Sequence, residues 1–386
     1  MIHKTLIIPE CVTLAQMNLI FNARIVWRRL TTWTIAYLIG RYERMGSEEE
    51  LFTRLNLETR EVGDILQLIF GRRISEDYSN IINRYVNGLR DLITVQMEGD
   101  TEAVQRILDF LSQNIAEHAS FLASVNPFVD EAEWRSMLDT YLQYTIELAN
   151  VFVEGGSSIE ATDRLTELTE QMSEYFAQRL FVYLTSGFQY VPVPQDEEQC
   201  ITYEEMNEIY NIRMYYYELS NWVRAYMQSK LMGIGNEEEI LARLKQVPLD
   251  YVNMLRKILG DSPAADEELR LQYVFIDLIG DLFNAQKEGN VSEIDRIVRL
   301  LYQNAYDRAL SGPALTPFYS AEVSGEQVTE LIRSTIQQSM ALLAGDHARS
   351  LDIFSSLLDL AEIASDYFAQ VLVQYIFSNQ ENNSAS

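Results

Sequence analysis

The chain has 386 residues, 47% of them hydrophobic, which is enough for two or three cored domains and too many for a disordered chain. Its 30 Lys+Arg stand against 57 Asp+Glu, a formal charge of −27 that repels nucleic-acid phosphates and anionic lipid and suits basic partners. Two cysteines are too few for a disulfide framework.

In chain order, the opening MIHKTLIIPECV has an apolar run that Pro9 and Glu10 cut off before a signal-peptide core forms. Residues 1–16 read as a lead-in, and Thr13-x-x-Gln16 reads as a capping box for a first helix. That helix carries LTTWTIAYLIG (30–40), whose apolar length falls well short of the roughly 18–20 residues a membrane span needs. The expectation is therefore a soluble cytoplasmic protein with no membrane span and no nucleic-acid partner. Gly46 ends the first helix, and Ser47-x-x-Glu50 opens the second. In the third, Ile82, Tyr85, Leu89, Leu92 and Ile93 fall three or four apart, the spacing of one helical face. EGD at 98–100 and EGG at 154–156 mark further reversals. The spacing predicts three hairpins, helix–Gly turn–helix, over 17–188.

The linker 189–200 includes VPVPQDEEQ, and a second domain, 201–380, repeats the first. CVTLAQMNLIFNAR (11–24) returns as CITYEEMNEIYNIR (200–213), an offset of 189. Trp33, Tyr37 and Glu48–Glu50 recur at Trp222, Tyr226 and Glu237–Glu239. One residue later in register, Gln113-Asn114 meets Gln303-Asn304, and YFAQ at 175 returns at 367. Gly235, Gly289 and Gly345 repeat the turns, while Thr202-x-x-Glu205 and Asn236-x-x-Glu239 repeat the caps. The predicted fold is all-α: two homologous six-helix bundles, each of three antiparallel hairpins, with a disordered tail at 381–386.

Catalytic constellations are hard to find. The glutamate runs 48–50 and 237–239 fall in first helical turns, where negative charge complements the dipole. The three histidines, His3, His118 and His347, make no Glu-x-x-His motif, and no metal or cofactor is expected. MGIGNEE (232–238) lacks the rest of a phosphate loop and reads as a C-cap and turn. Cys11 and Cys200 read as small thiols rather than a redox pair. The aromatics Trp27, Trp33, Tyr37, Tyr216, Trp222 and Tyr226 suit a core first and a pocket second. Polar residues kept in both copies are Asn22/Asn211, Arg24/Arg213, Asp91/Asp281, Asn114/Asn304, Thr145/Thr335 and Gln178/Gln370. They suit a buried network, with an Arg–Asp pair fixing register, or else a polar pocket.

WRRLTTWT (27–34), EGDTEAV (98–104), QNIAEHASFLASVNP (113–127) and MLDTYLQYT (137–145) resemble a family of small bacterial helical proteins of unknown function. Members often carry the label acetylglutamate kinase. The resemblance covers most of 17–186 and, more faintly, 206–378, and implies a tandem two-copy member. It also implies histidines on the first helix of each hairpin, where this chain has Leu30, Tyr85, Tyr141, Leu219, Phe275 and Leu331. The label implies a sheet and glycine-rich phosphate loops that the sequence does not contain. Two functions follow as expectations. The first is a non-catalytic interaction or scaffold protein with a protein partner. The second is a small-molecule binder with ligand residues Asn22, Arg24, Trp33 and Tyr37, and Asn211, Arg213, Trp222 and Tyr226.

Overall fold

The structure is a computed structural model that describes residues 11–186 and 200–384, with side chains described to 380. Those residues form twelve α-helices and one 3-10 turn, with no β-strand among them. The chain divides into two compact units, Met1–Glu198 and Gln199–Ser386. The expected linker lies almost wholly at 187–199, outside the described residues.

The first unit holds α1 (Leu14–Tyr42), α2 (Glu48–Phe70), α3 (Arg72–Glu98), α4 (Thr101–Val125), α5 (Glu131–Glu154) and α6 (Ile159–Thr185). Each helix packs on the next, and α6 returns to α1. The second unit holds α7 (Tyr203–Met232), α8 (Glu237–Leu259), α9 (Pro263–Glu288), α10 (Val291–Ser311), α11 (Ala321–Leu343) and α12 (His347–Ser384), and α12 likewise returns to α7. Because α12 runs to Ser384, residues 381–384 are helical, not the disordered tail expected there.

Local chemistry sets the helix ends. Thr13 and Thr202 form complete capping boxes with Gln16 and Glu205, satisfying two orphan donors each. Ser47 makes no side-chain cap bond, so α2 starts without the box that Ser47-x-x-Glu50 suggests; the first-turn Glu48, Glu49 and Glu50 still complement its dipole. Asn236 accepts from the N–H groups of Glu238 and Glu239. Every glycine expected at a reversal takes positive φ; Gly99, at +75°, is the left-handed cap that closes α3.

Packing then selects the faces. Helix α1 touches α2, α5 and α6, and α7 touches α8, α9, α11 and α12, so both are buried nearly all round. Helices α2 and α3 approach closely at Gly63. A Cβ built on Gly63 would lie 1.9 Å from Ser79 Oγ and 2.8 Å from the Ser75 carbonyl, so the crossing requires glycine there. Matching hydrogen bonds recur in the two units. Asn114 donates to the Ile81 carbonyl and Asn304 to that of Leu271, at 3.0 and 2.9 Å. Tyr175 OH accepts from the Asp130 N–H and Tyr367 OH from that of Ser320. Both cysteines are disulfide-bonded, which corrects the thiol reading of Cys11 and Cys200.

Candidate functional site

The residues expected to form a ligand pocket do not come together. Arg24 and Trp33 are nine positions apart on α1. That spacing turns them about 180° round the helix and separates them by about 14 Å along it. Arg24 is buried against α6, 3.6 Å from Glu170, which also lies 3.7 Å from Arg28. Trp33 and Tyr37 are packed in the core, with Tyr37 against Phe52 and its hydroxyl pushed up to about 12 by burial. Asn22 is exposed. The second set behaves alike. Asn211 is exposed, Arg213 meets Asp366 at 2.6 Å, Trp222 lies under Arg243, and Tyr226 lies under Lys230. Asp91 and Asp281 are exposed, so the retained arginines pair instead with acids of α6 and α12. Thr145 and Thr335 each donate back to the carbonyl four residues earlier. Gln178 accepts from the neighbouring Arg179, and Gln370 is exposed.

The polar centre of each unit lies elsewhere, where the second hairpin meets the core. In the first unit Tyr78 of α3 and His118 of α4 share a hydrogen bond of 2.7 Å between the Tyr hydroxyl and His Nε2. His118 stacks on Trp27 of α1 and meets Trp134 of α5 edge-on, with ring centroids 6.1 and 6.0 Å away. Burial among these rings pushes His118 down to about 3 and Tyr78 far up. Neither group changes charge near neutral pH, which leaves the pair without the matched pKa that general acid–base work needs. Nearby, Thr31 joins Tyr141 OH at 3.1 Å and Thr169 Oγ1 at 2.9 Å. Burial raises the Tyr141 and Tyr85 hydroxyls as well.

In the second unit the corresponding positions, each 190 residues on, hold Glu268 of α9 and Arg308 of α10. They form an ion pair at 3.4 Å, with side chains 8% and 5% exposed. Gln272 donates to the same carboxylate oxygen at 2.6 Å. Tyr215, Tyr216, Tyr251 and Tyr319 surround the pair, with Tyr215 stacked on Tyr251 at 3.9 Å. Burial raises all four hydroxyls. Burial opposes the charge on Arg308, but Glu268 and the tyrosine hydroxyls more than offset it, and the guanidinium's pKa rises. A neutral hydrogen-bonded pair in one unit is thus a charged pair in the other. Looking only for identical residues 189–192 positions apart hides this, because neither member of the pair is the same residue in the two units.

Among the described residues no group of three or more His, Cys, Asp or Glu is placed to hold a metal, and no helix is long and apolar enough to cross a membrane. Glu48–Glu50 and Glu237–Glu239 lie in the first turns of α2 and α8, and Gly233 caps α7 in the left-handed region. No family model, curated protein or solved structure matches this chain.

Proposed function

We propose that the protein is a non-catalytic interaction protein made of two homologous six-helix bundles that arose by duplication, and that it binds basic partners. The observation carrying this reading is the chemistry of the two centres. Their titratable groups are tied to one another or held far from neutral pKa values, so the long outer helical faces are the surface left for function. The charge of −27 sets the sign of the partner. Recurrence of the Asn114/Asn304 and Tyr175/Tyr367 hydrogen bonds supports the duplication, and the wholly helical described chain speaks against an amino-acid kinase. Membership in the bacterial helical family remains part of this proposal and rests on the four sequence segments. The disulfide state of both cysteines favours an oxidising compartment over the cytoplasm read from the sequence.

Crosslinking of the native protein in its own cells, followed by mass spectrometry, tests the reading. A basic protein crosslinked to specific outer helix positions is expected; recovery of none refutes it. A small-molecule reading has one observation in its favour, that Arg308 Nε and Gln272 Oε1 are buried without hydrogen-bond partners among the described residues. A ligand that raises Tm of the wild type but not of Gln272→Leu would establish it.

A further inference from the structure

Arg224, on α7, is 8% exposed, and its guanidinium lies 4.3 Å over the ring of Phe354 on α12. Among the described residues it makes no ion pair and no hydrogen bond, and burial alone acts on it, pulling the guanidinium down to about 10. Arg308 of the same unit gives the contrast. It is buried too, but Glu268 and the surrounding tyrosines more than offset that cost. A guanidinium withdrawn from water without an acid is costly to the folded chain. The ring face of Phe354 offsets part of the cost and leaves the N–H groups at the edge of the guanidinium plane without acceptors.

A second donor stands at nearly the same level. Gln338 on α11 is 1% exposed, and its Nε2 has no hydrogen-bond partner among the described residues. Helices α11 and α12 reverse at Gly345, seven residues after Gln338 and nine before Phe354. In that antiparallel pair the two side chains are offset by two positions, or about 3 Å along the axis. Helix α7 packs on both α11 and α12. The sequence repeat places aliphatic residues at both positions in the first unit. Trp222 and Tyr226 flank Arg224 as Trp33 and Tyr37 flank Ile35, and Gln338 stands 190 residues after the fully buried Leu148. Neither N–H donor is therefore a requirement of this helical packing.

We infer that Arg224 and Gln338 hold a small oxyanion, a carboxylate or phosphate group, inside the second unit. The planar fork of Arg224 presents parallel N–H groups to two oxygens, Gln338 Nε2 donates to one of them, and Phe354 closes one face of the guanidinium. The charge of the ligand offsets that of the buried cation. The small exposed fraction of Arg224 admits an ion and shuts out the surface of a macromolecule. This site is separate from the Glu268–Arg308 centre, because Arg224 lies eight residues, about 12 Å, beyond Tyr216 on α7. It does not depend on the protein-partner reading.

The test is isothermal titration of the full chain in chloride-free HEPES, with sodium acetate, sodium phosphate and sodium chloride as separate probes. One equivalent of acetate or phosphate is expected to bind, and the tighter of the two names the ligand's group. Chloride is expected to bind at least about tenfold more weakly, because a single sphere does not engage both arms of the fork. Arg224→Ile restores the aliphatic residue of the first unit and is expected to abolish binding. Arg224→Lys, which keeps the charge without the fork, and Gln338→Leu are each expected to weaken it at least about threefold. A second measurement uses no ligand. Without added anion, Arg224→Ile is expected to melt at or above the wild-type Tm, and saturating acetate or phosphate is expected to raise the Tm of the wild type alone. No binding of acetate or phosphate, binding unchanged in Arg224→Ile, or chloride held as tightly as either oxyanion overturns the inference. So does a lower Tm of Arg224→Ile without added anion, which assigns the arginine to packing and its ring contact.

Discussion

Arg308→Met is the perturbation that tests the polar centre of the second unit most directly. Arg308 and Glu268 approach to 3.4 Å with side chains 5% and 8% exposed, so the pair is largely withdrawn from water. At an effective dielectric of about 20 their attraction is about 5 kcal/mol, and most of that offsets the desolvation of two ions. Removing Arg308 alone leaves the carboxylate buried with Gln272 as its remaining hydrogen-bond donor among the described residues. The expected loss is about 3–5 kcal/mol. For a unit of this size that is a Tm drop of roughly 6–20 °C. Removing both charges, in Glu268→Leu/Arg308→Met, is expected to restore stability to within about 1 kcal/mol of wild type. Chemical denaturation with hydrogen exchange read on α9 and α10 peptides keeps the measurement local, since two units need not unfold as one. A single variant costing under about 1 kcal/mol, or a double variant no better than the single, refutes the buried-pair reasoning.

Two further outcomes are expected. His118 has a folded pKa near 3 against about 6.5 when unfolded, so below pH 6.5 the unfolded chain binds the extra proton. Its contribution is complete above pH 6.5 and is lost as pH falls toward 3, about 2 kcal/mol by pH 5; His118→Phe should flatten that part of a pH–stability curve, and an unchanged slope would count against a neutral buried imidazole. Thiol titration of the native protein should find no reactive cysteine before reduction and two after it, and two free thiols at the outset would contradict the bonded state of Cys11 and Cys200.

The parts of the fold legible in sequence are those that depend on near neighbours. Thr13 and Thr202 cap because their hydroxyls reach the N–H three residues on, whatever the rest of the chain does. The glycine reversals at Gly99 and Gly289 are equally local, since the left-handed backbone there excludes most side chains. Ser47 shows the limit even at this range: the motif is present, but the backbone at φ −127°, ψ 24° does not aim its hydroxyl at the helix. The failure to bring Arg24 and Trp33 together was also open to sequence reasoning, because nine residues of α-helix is two and a half turns.

Which side chains meet across helices was decided only by tertiary packing. Sequence repetition identified Asn114 and Asn304 as a matched pair, but not that each would donate to a backbone carbonyl 33 residues earlier. It singled out Arg24 and Arg213 and offered the retained Asp91 and Asp281 as partners, where the folded chain supplies Glu170 and Asp366 from the last helix of each unit. It passed over Tyr78–His118 and Glu268–Arg308, whose four residues have no identity to match. Their kinship is positional, created when α3 lies on α4 and α9 lies on α10. The sequence determined that this protein is helical, where its helices turn, and that it says much the same thing twice. Tertiary structure decided that the two units are chemically unlike inside, because one buries a Tyr–His hydrogen bond whose imidazole burial keeps neutral, and the other buries a Glu–Arg pair held at 3.4 Å.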